Sequence, residues 1–251
     1  MVYSQIGSGQ PVVLLHGFLE ERSMWNDYAE KLSSEFEVIS IDLLGQGKSG
    51  NVGYAHSMEE HAAAVATVLF TENVDKCTVI GHSMGGYVAL ALAEKQPDLI
   101  GGLVLFHSTT YPDAEDKKKD RERVIGLVQR NKSVYVNAAI PSLFAEDSRE
   151  VLKDEIQRLI DIANTFSDQG IIANIRGMME RKDRTEILKN STFRKLIIHG
   201  ELDSVISIDD VKEIAELSND IQLEIVKNIS HMGHLEAPEK CFELIANFCR
   251  N

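Results

Sequence analysis

Short, mostly apolar runs alternate with segments of helical spacing through the first 108 residues. These runs are "PVVLLH" at 11–16, "EVISIDLL" at 37–44, "CTVIGHS" at 77–83 and "GGLVLFHS" at 101–108. Apolar runs of this length are typical of strands that are buried on both faces of a parallel sheet. Between them, Ser57 and Glu60 have the spacing of a capping box at the start of a helix. The pattern therefore predicts strand–helix–strand units.

The pattern changes after Ser108. Residues 109–190 are rich in charge, have a helical period and contain no strand-like run before about residue 193. Strand signals return in "KLIIHG" at 195–200 and "IQLEIVKNI" at 221–229, and helices are predicted to start near Ser207 and at Pro238. We therefore predict an α/β core domain formed by 1–108 and 191–251, interrupted by an all-helical insertion at 109–190.

Composition narrows the classes of partner. The 251 residues include 26 basic and 39 acidic side chains, a formal charge of −13, which disfavours nucleic acid and anionic membrane surfaces as partners. The three cysteines indicate a reduced, cytoplasmic setting rather than a disulfide framework. Neither a signal peptide nor a membrane segment is expected, because the N-terminal residues and the later apolar runs lack the required length and pattern. The oligomeric state is left open.

One glycine-rich segment carries candidate chemistry. Residues 81–85, Gly-His-Ser-Met-Gly, match G-x-S-x-G, with a predicted strand before the motif and a predicted helix after it. Glycines at 81 and 85 permit a sharp turn that exposes the Ser83 hydroxyl. A serine hydroxyl is a weak nucleophile near neutral pH, so it needs a base that is oriented by a third group. A histidine and a carboxylate are therefore expected further along the chain.

Five motifs in order resemble the α/β-hydrolase family, in particular its serine-nucleophile, carboxylesterase-like members with a helical cap. The motifs are "LLHGF" at 14–18, "IDLLGQGKSG" at 41–50, the serine motif at 81–85, "IIHGELDSVI" at 197–206 and "SHMGHLEAPE" at 230–239. The resemblance implies a mostly parallel central sheet flanked by helices, with 109–190 as a cap over the carboxyl ends of the strands. It also implies the chain order serine, acid, histidine. The family's early antiparallel strands are expected to be shortened or missing, because few residues precede the first apolar run.

The resemblance also assigns the partners of Ser83. It implies Asp203 as the acid, with Glu201 as the competing carboxylate, and His231 as the base, because His231 lies five residues before the glutamate of the E-x-P segment. His234 is the competing base, and it follows a glycine as the family's base commonly does. The backbone N–H groups of Phe18 and Met84 are implied as oxyanion donors. The candidate pocket-lining residues are Leu19, His107 and His234.

These residues together predict a cofactor-free serine hydrolase without a metal. The expected reaction is cleavage of a carboxylic ester of a small to medium acyl group through an acyl-enzyme on Ser83. Alternatives are hydrolysis of a carbon–carbon bond, a lactone or a thioester, or a perhydrolase side activity. A further alternative is a small-molecule receptor on the same scaffold. His16 is predicted to hold its turn through hydrogen bonds rather than to act as a base.

Overall fold

The computed structural model describes all residues, 1–251, and has one seven-stranded sheet at its centre. The strands in chain order are β1 (Tyr3–Gly7), β2 (Gln10–Leu15), β3 (Phe36–Ile41), β4 (Cys77–His82), β5 (Ile100–Phe106), β6 (Arg194–Gly200) and β7 (Ile221–Val226). Their spatial order is β1-β3-β2-β4-β5-β6-β7. Only the β1–β3 pair is antiparallel. The predicted mostly parallel α/β sheet is confirmed.

Eleven α-helices surround this sheet, and none of them is long and apolar enough to cross a bilayer. The helices are α1 (Asn26–Leu32), α2 (Met58–Thr71), α3 (Met84–Lys95), α4 (Glu115–Ser142), α5 (Glu146–Val151), α6 (Lys153–Thr165), α7 (Asp168–Met179), α8 (Thr185–Asn190), α9 (Ile208–Ala215), α10 (Gly233–Glu236) and α11 (Pro238–Arg250). Ser57 and Glu60 form the capping box of α2, as the sequence predicts.

Two apolar clusters cover the two faces of the sheet. Alternating residues of β2 point to opposite faces, so Val12 and Leu14 join one cluster while Val13 and Leu15 join the other. The smaller cluster contains α1 and α11, and the larger contains α2, α3 and α9. Helix α3 is buried on almost every side, which accounts for its apolar sequence.

The strand pattern does not predict β1. Four of its five residues are exposed, so β1 has no run of buried apolar positions. It is recognised as a strand only by its hydrogen-bonded pairing with β3. The early antiparallel strands were expected to be shortened or missing; one such strand, β1, is present with five residues. β1 extends the parallel core by one short antiparallel edge strand.

The insertion between β5 and β6 is helical throughout, and it contains α4 to α8. Helix α4 is bent at Asn131, whose backbone angles are not helical. Helices α4, α6 and α7 add buried side chains to the same cluster as α2 and α3, while α8 packs against α3. The division of the chain into a core and a separate cap at 109–190 stays a prediction, because these helices share the apolar cluster of the core.

Helix α7 is held unusually close to the loop that follows β3. A Cβ atom added at Gly177 would lie 1.6 Å from the His56 carbonyl oxygen, and one at Gly170 would lie 2.3 Å from that of Gly45. The His56 N–H donates to the Ala173 carbonyl oxygen at 2.9 Å. The glycines of α7 therefore permit backbone-to-backbone contact between the helical insertion and the core.

We expect Gly177→Ala to lower the free energy of unfolding by about 3 kcal/mol, because the methyl group cannot fit without moving the helix away from His56. Gly126→Ala in α4 is the matched control, since the nearest atom to its Cβ would be 3.8 Å away. The control should be neutral or stabilising by up to about 1 kcal/mol. Urea denaturation of the three proteins makes the comparison, and equal stabilities would contradict the close contact of α7.

Candidate active site

The G-x-S-x-G turn connects β4 to α3 through close backbone contacts. A Cβ atom on Gly81 would lie 2.4 Å from the Gly85 carbonyl oxygen, and one on Gly85 would lie 2.4 Å from that of Leu15. A Cβ on Gly86 would lie 2.2 Å from Ser108 Oγ. Three glycines are therefore needed here, because any side chain would separate the helix from the strands.

Ser83 sits at the tip of this turn with φ 49° and ψ −113°, a conformation that residues with a Cβ rarely adopt. Two interactions hold the backbone there: the Ser83 N–H donates to the Phe106 carbonyl oxygen at 2.9 Å, and the Ser108 hydroxyl donates to the Ser83 carbonyl oxygen at 2.8 Å. Ser83 is half-buried and lines a cavity. The strained backbone thus presents the hydroxyl group to a space that a ligand can occupy.

His231 and Asp203 meet next to this cavity. His231 Nδ1 lies 2.8 Å from Asp203 Oδ2, and the N–H groups of Val205 and Ile206 donate to Asp203 Oδ1 at 2.8 and 3.1 Å. Burial alone would raise the pKa of Asp203, but the charge of His231 and the hydrogen bonds from His107 and His231 hold that pKa far below its ordinary value. Asp203 is therefore a carboxylate that orients the His231 ring. Glu201, the competing acid, is exposed and accepts a hydrogen bond from the Asn228 N–H.

His107 shares the carboxylate with His231. Its Nδ1 lies 3.1 Å from Asp203 Oδ2, and burial lowers the pKa of His107 to about 3, so the ring is neutral. Its backbone is also in the left-handed region, with φ 48°. His107 therefore supports Asp203 from the side away from the cavity and does not line the cavity that Ser83 lines.

The loop that carries His231 is fixed at both ends. The Glu236 carboxylate accepts hydrogen bonds from the N–H groups of Ser230 at 2.9 Å and Met232 at 3.3 Å. It also accepts one from the N–H of Ala145, a residue of the helical insertion, at 2.8 Å. The His231 N–H donates to the Leu143 carbonyl oxygen at 2.9 Å. The insertion thus contacts the backbone of His231 directly.

The two candidate oxyanion donors are backbone N–H groups at adjoining turns. Phe18 lines the cavity together with Ser83, and Met84 follows Ser83 at the first position of α3. Neither N–H has a hydrogen-bond acceptor within the protein. His16 holds the first turn, because its Nε2 accepts from the Leu43 N–H at 2.8 Å and its Nδ1 lies 2.8 Å from the Gly17 carbonyl oxygen. His16 therefore has no ring nitrogen left for proton transfer.

A buried ion pair connects three parts of the site. Glu20 Oε2 lies 2.7 Å from His82 Nδ1 and accepts from the Gly17 N–H at 2.7 Å, while His82 Nε2 donates to the His231 carbonyl oxygen at 3.0 Å. Burial alone would raise the pKa of Glu20, but the charge and the hydrogen bond of His82 lower it to about 2. Glu20 raises the pKa of His82 in turn, against the effect of burial. This pair links the Phe18 turn, the Ser83 turn and the His231 loop.

The cavity beside Ser83 has a volume of about 200 Å³. It is lined by core residues and by residues of the insertion: Phe18, Leu19, Glu20, His82, Ser83, Tyr87, Lys117, Arg121, Tyr135, Ala139, Ser142, Leu143, Met178, Val205, His231 and Met232. Leu19 lines it as expected. His234 does not: it lies in a separate pocket near Tyr28 and Pro238, next to Trp25. The expectation that His107 and His234 line the pocket of Ser83 is therefore corrected, since both rings are buried behind it.

Several residues of the site have no role in the sequence analysis. The sequence signal for Glu20 is its place in an acidic pair that directly follows Phe18 and Leu19, and the signal for Glu236 is its place in the E-x-P segment. Lys117 and Arg121 lie in a highly charged run that has the appearance of a solvated helix face. Only the folded chain brings that run next to Ser83.

Two groups of side chains have donor atoms within 4.8 Å of one another, the spacing of metal ligands: Glu20, His82 and His234, and His107, His199 and Asp203. Both contain hydrogen bonds that an ion would have to break, Glu20 to His82 in the first and His107 to Asp203 in the second. Other atoms of these groups, Glu20 Oε1 and both ring nitrogens of His199 and His234, are buried without a hydrogen-bond partner in the protein.

Comparison with known proteins identifies the family of this chain. Residues 10–238 match the family described as the alpha/beta hydrolase fold. The chain belongs to the α/β-hydrolase family. A thermophilic esterase from Thermogutta terrifontis is 30% identical with a TM-score of 0.94, and the match covers 99% of this chain and 92% of that chain.

Two curated relatives extend the comparison within the α/β-hydrolases. Pimeloyl-[acyl-carrier protein] methyl ester esterase of Nitrosospira multiformis is 25% identical over 98% of this chain and 96% of that protein. An uncharacterized protein of Mycobacterium tuberculosis is 35% identical over 99 residues, which are 39% of this chain and 29% of that protein. This α/β-hydrolase therefore matches less than a third of the length of the mycobacterial relative, and most of the length of the two esterases.

We expect Glu20→Gln to lower the free energy of unfolding by about 2–3 kcal/mol at pH 6, because His82 loses its charged partner. The pKa of Glu20 falls from an ordinary 4.5 to about 2 on folding, so its contribution is complete above 4.5 and is lost as the pH falls toward 2. The difference between the two proteins should therefore shrink by about half at pH 3.

Urea denaturation at both pH values tests this expectation, with Glu21→Gln as the control. Glu21 is partly buried next to Glu20 but accepts only from the Ser23 hydroxyl, so the control should change stability by less than about 0.5 kcal/mol. A loss in Glu20→Gln that is the same at pH 6 and pH 3 would contradict the ion pair.

Proposed function

We propose that this α/β-hydrolase cleaves carboxylic esters of small to medium acyl groups, with Ser83 as nucleophile, His231 as general base and Asp203 as the group that orients the base. The observation that carries the proposal is a serine in a strained backbone turn that lines the same cavity as His231, whose other side contacts a buried carboxylate. The cavity volume of about 200 Å³ supports a small substrate. The two esterases among the compared proteins support the ester class.

Ser83, His231 and Asp203 have different roles in the proposed reaction. Asp203 is an acceptor for His231 Nδ1, so Nδ1 carries a proton and Nε2 is left to take the proton of the Ser83 hydroxyl. The Ser83 oxygen attacks the ester carbonyl carbon, and the alcohol leaves with the proton that His231 returns. Water, deprotonated by His231, then attacks the acyl-enzyme, which releases the carboxylic acid and restores Ser83.

The oxyanion of this reaction needs donors that are in place before the reaction starts. The N–H groups of Phe18 and Met84 meet this requirement, because they have no acceptor within the protein and belong to backbone that other contacts already fix. Preorganised donors of this kind contribute a few kcal/mol to the stabilisation of the transition state.

Ser83→Ala should reduce kcat/KM for 4-nitrophenyl acetate and butyrate by about 10³-fold or more, because the covalent route is lost. The measurement extends to a panel of lactones, thioesters and vinylogous diketones of graded size, which distinguishes ester hydrolysis from the other hydrolase activities. A Ser83→Ala protein with undiminished activity would exclude Ser83 as the nucleophile. Tight binding without turnover in the unmodified protein would indicate a receptor.

His231→Gln should reduce kcat by about 10²–10⁴-fold, the usual contribution of a general base, while His234→Gln should cost less than tenfold. His234 is a suitable match because it is another buried histidine of the same loop region that lies in a different pocket. Kinetics are compared per folded protein, as measured by circular dichroism. A larger loss in His234→Gln would reassign the base.

We also place this activity in the cytoplasm, without a nucleic-acid or membrane partner. The acidic net charge of −13 and the three free, buried cysteines support this location.

A further inference from the structure

Two cations line the wall of the Ser83 cavity. Lys117 and Arg121 lie four residues apart in α4, so their side chains project from the same face of that helix. Lys117 is solvent-exposed as well as lining the cavity, so it stands where the cavity meets solvent. The chain carries a charge of −13, which makes a pair of cations on this wall a local reversal of the overall charge.

The carboxylate nearest to this pair of cations already forms ion pairs within the protein. Asp113 is buried between Arg121 and Arg181 and forms ion pairs with both, so one carboxylate faces two guanidinium groups. Arg121 contacts Asp113 through Nε and Nη2, while its Nη1 has no partner within the protein. Lys117 has no carboxylate within 4.0 Å. The group therefore has an excess of positive charge.

The remaining acids do not remove this excess. Glu20 is the only acidic residue that lines the cavity, and it is paired with His82. Asp210 lines the adjoining pocket and not the Ser83 cavity. Aliphatic and aromatic side chains form most of the cavity wall, so an anion placed there interacts with the cations through less water than at an open surface.

We infer that the preferred substrates of this site carry a carboxylate at the end of a short acyl chain, which Lys117 and Arg121 bind while Ser83 attacks the ester carbonyl. This inference rests on the proposed esterase function and names its substrate class. A half-ester of a short dicarboxylic acid meets the conditions of size and charge. At physiological salt, long-range repulsion by the acidic surface is screened beyond about 8 Å, so the local pair of cations decides the preference.

The test compares two esters of nearly equal shape, monomethyl succinate and methyl 4-methylpentanoate, in which a carboxylate and an isopropyl group occupy the same end of the chain. The preference is the ratio of their kcat/KM values, measured from methanol release by unmodified protein, Lys117→Gln, Lys117→Glu and a control, Lys119→Gln. Lys119 is in the same helix and pairs with Asp116 at the surface, so the control removes one charge without changing the cavity.

We expect unmodified protein to prefer monomethyl succinate, and 0.5 M NaCl to reduce that preference. Lys117→Gln should lower the ratio about tenfold, Lys117→Glu should reverse the preference, and Lys119→Gln should leave the ratio unchanged. Direct binding of monomethyl succinate to Ser83→Ala, measured by calorimetry, should be lost when Lys117→Glu is added.

Three outcomes would overturn the inference, and they can be distinguished from one another. Hydrolysis of the neutral ester that depends on Ser83 and is at least as efficient as that of monomethyl succinate would disprove the carboxylate preference and leave the esterase function standing. Failure to hydrolyse either ester, together with no turnover on the chromogenic esters, would disprove the proposed function and this inference together. A ratio that changes equally in Lys117→Gln and Lys119→Gln would show an effect of net charge only.

Discussion

The close approach of backbone segments at the turn between β4 and α3 is the constraint on which the site depends. Helix α3 can begin directly at the end of β4 only because residues 81, 85 and 86 have no Cβ atoms to collide with neighbouring backbone and with Ser108. The same approach leaves Ser83 no relaxed conformation, and the strain is sustained by the burial of β4 and α3 on nearly every side. The position of the Ser83 hydroxyl is thus a consequence of the tight packing between β4 and α3.

Three carboxylates, two with buried side chains and one half-buried, organise the loops around that turn. Glu20 links the Phe18 turn to His82. Asp203 is hydrogen-bonded to the rings of His107 and His231. Glu236 accepts hydrogen bonds from the backbone on either side of His231. Each is paired with histidines or with backbone N–H groups, which is the condition under which a carboxylate can be buried without a large cost. The acidic net charge of the protein therefore says little about its site, where these carboxylates are paired and Lys117 and Arg121 add positive charge to the cavity wall.

The sequence predicts the elements that have a regular hydrophobic pattern and the turn that requires closely packed glycines. Strands β2 to β6 were predictable because each is a mostly buried apolar run, and β7 because its apolar residues alternate with polar ones. Ser83 was predictable because its glycines are unusual in a strand-to-helix junction. β1 was missed because its side chains are mostly exposed, so that only pairing with β3 identifies it. The sequence places His107 and His234 near the pocket because each follows a strand. Such a position determines the region in which the ring lies, but not whether the ring faces the pocket. Lys117 and Arg121 of α4 lie in a run of mixed charges, which the sequence alone does not distinguish from a solvent-exposed helix face.

The hydrogen bond from the His231 N–H to the Leu143 carbonyl oxygen ties the helical insertion to the backbone of the His231 loop. A change in the length of the insertion near residue 143 would break this contact, whereas side-chain replacement along α4 alters the wall of the cavity and leaves the main chain in register.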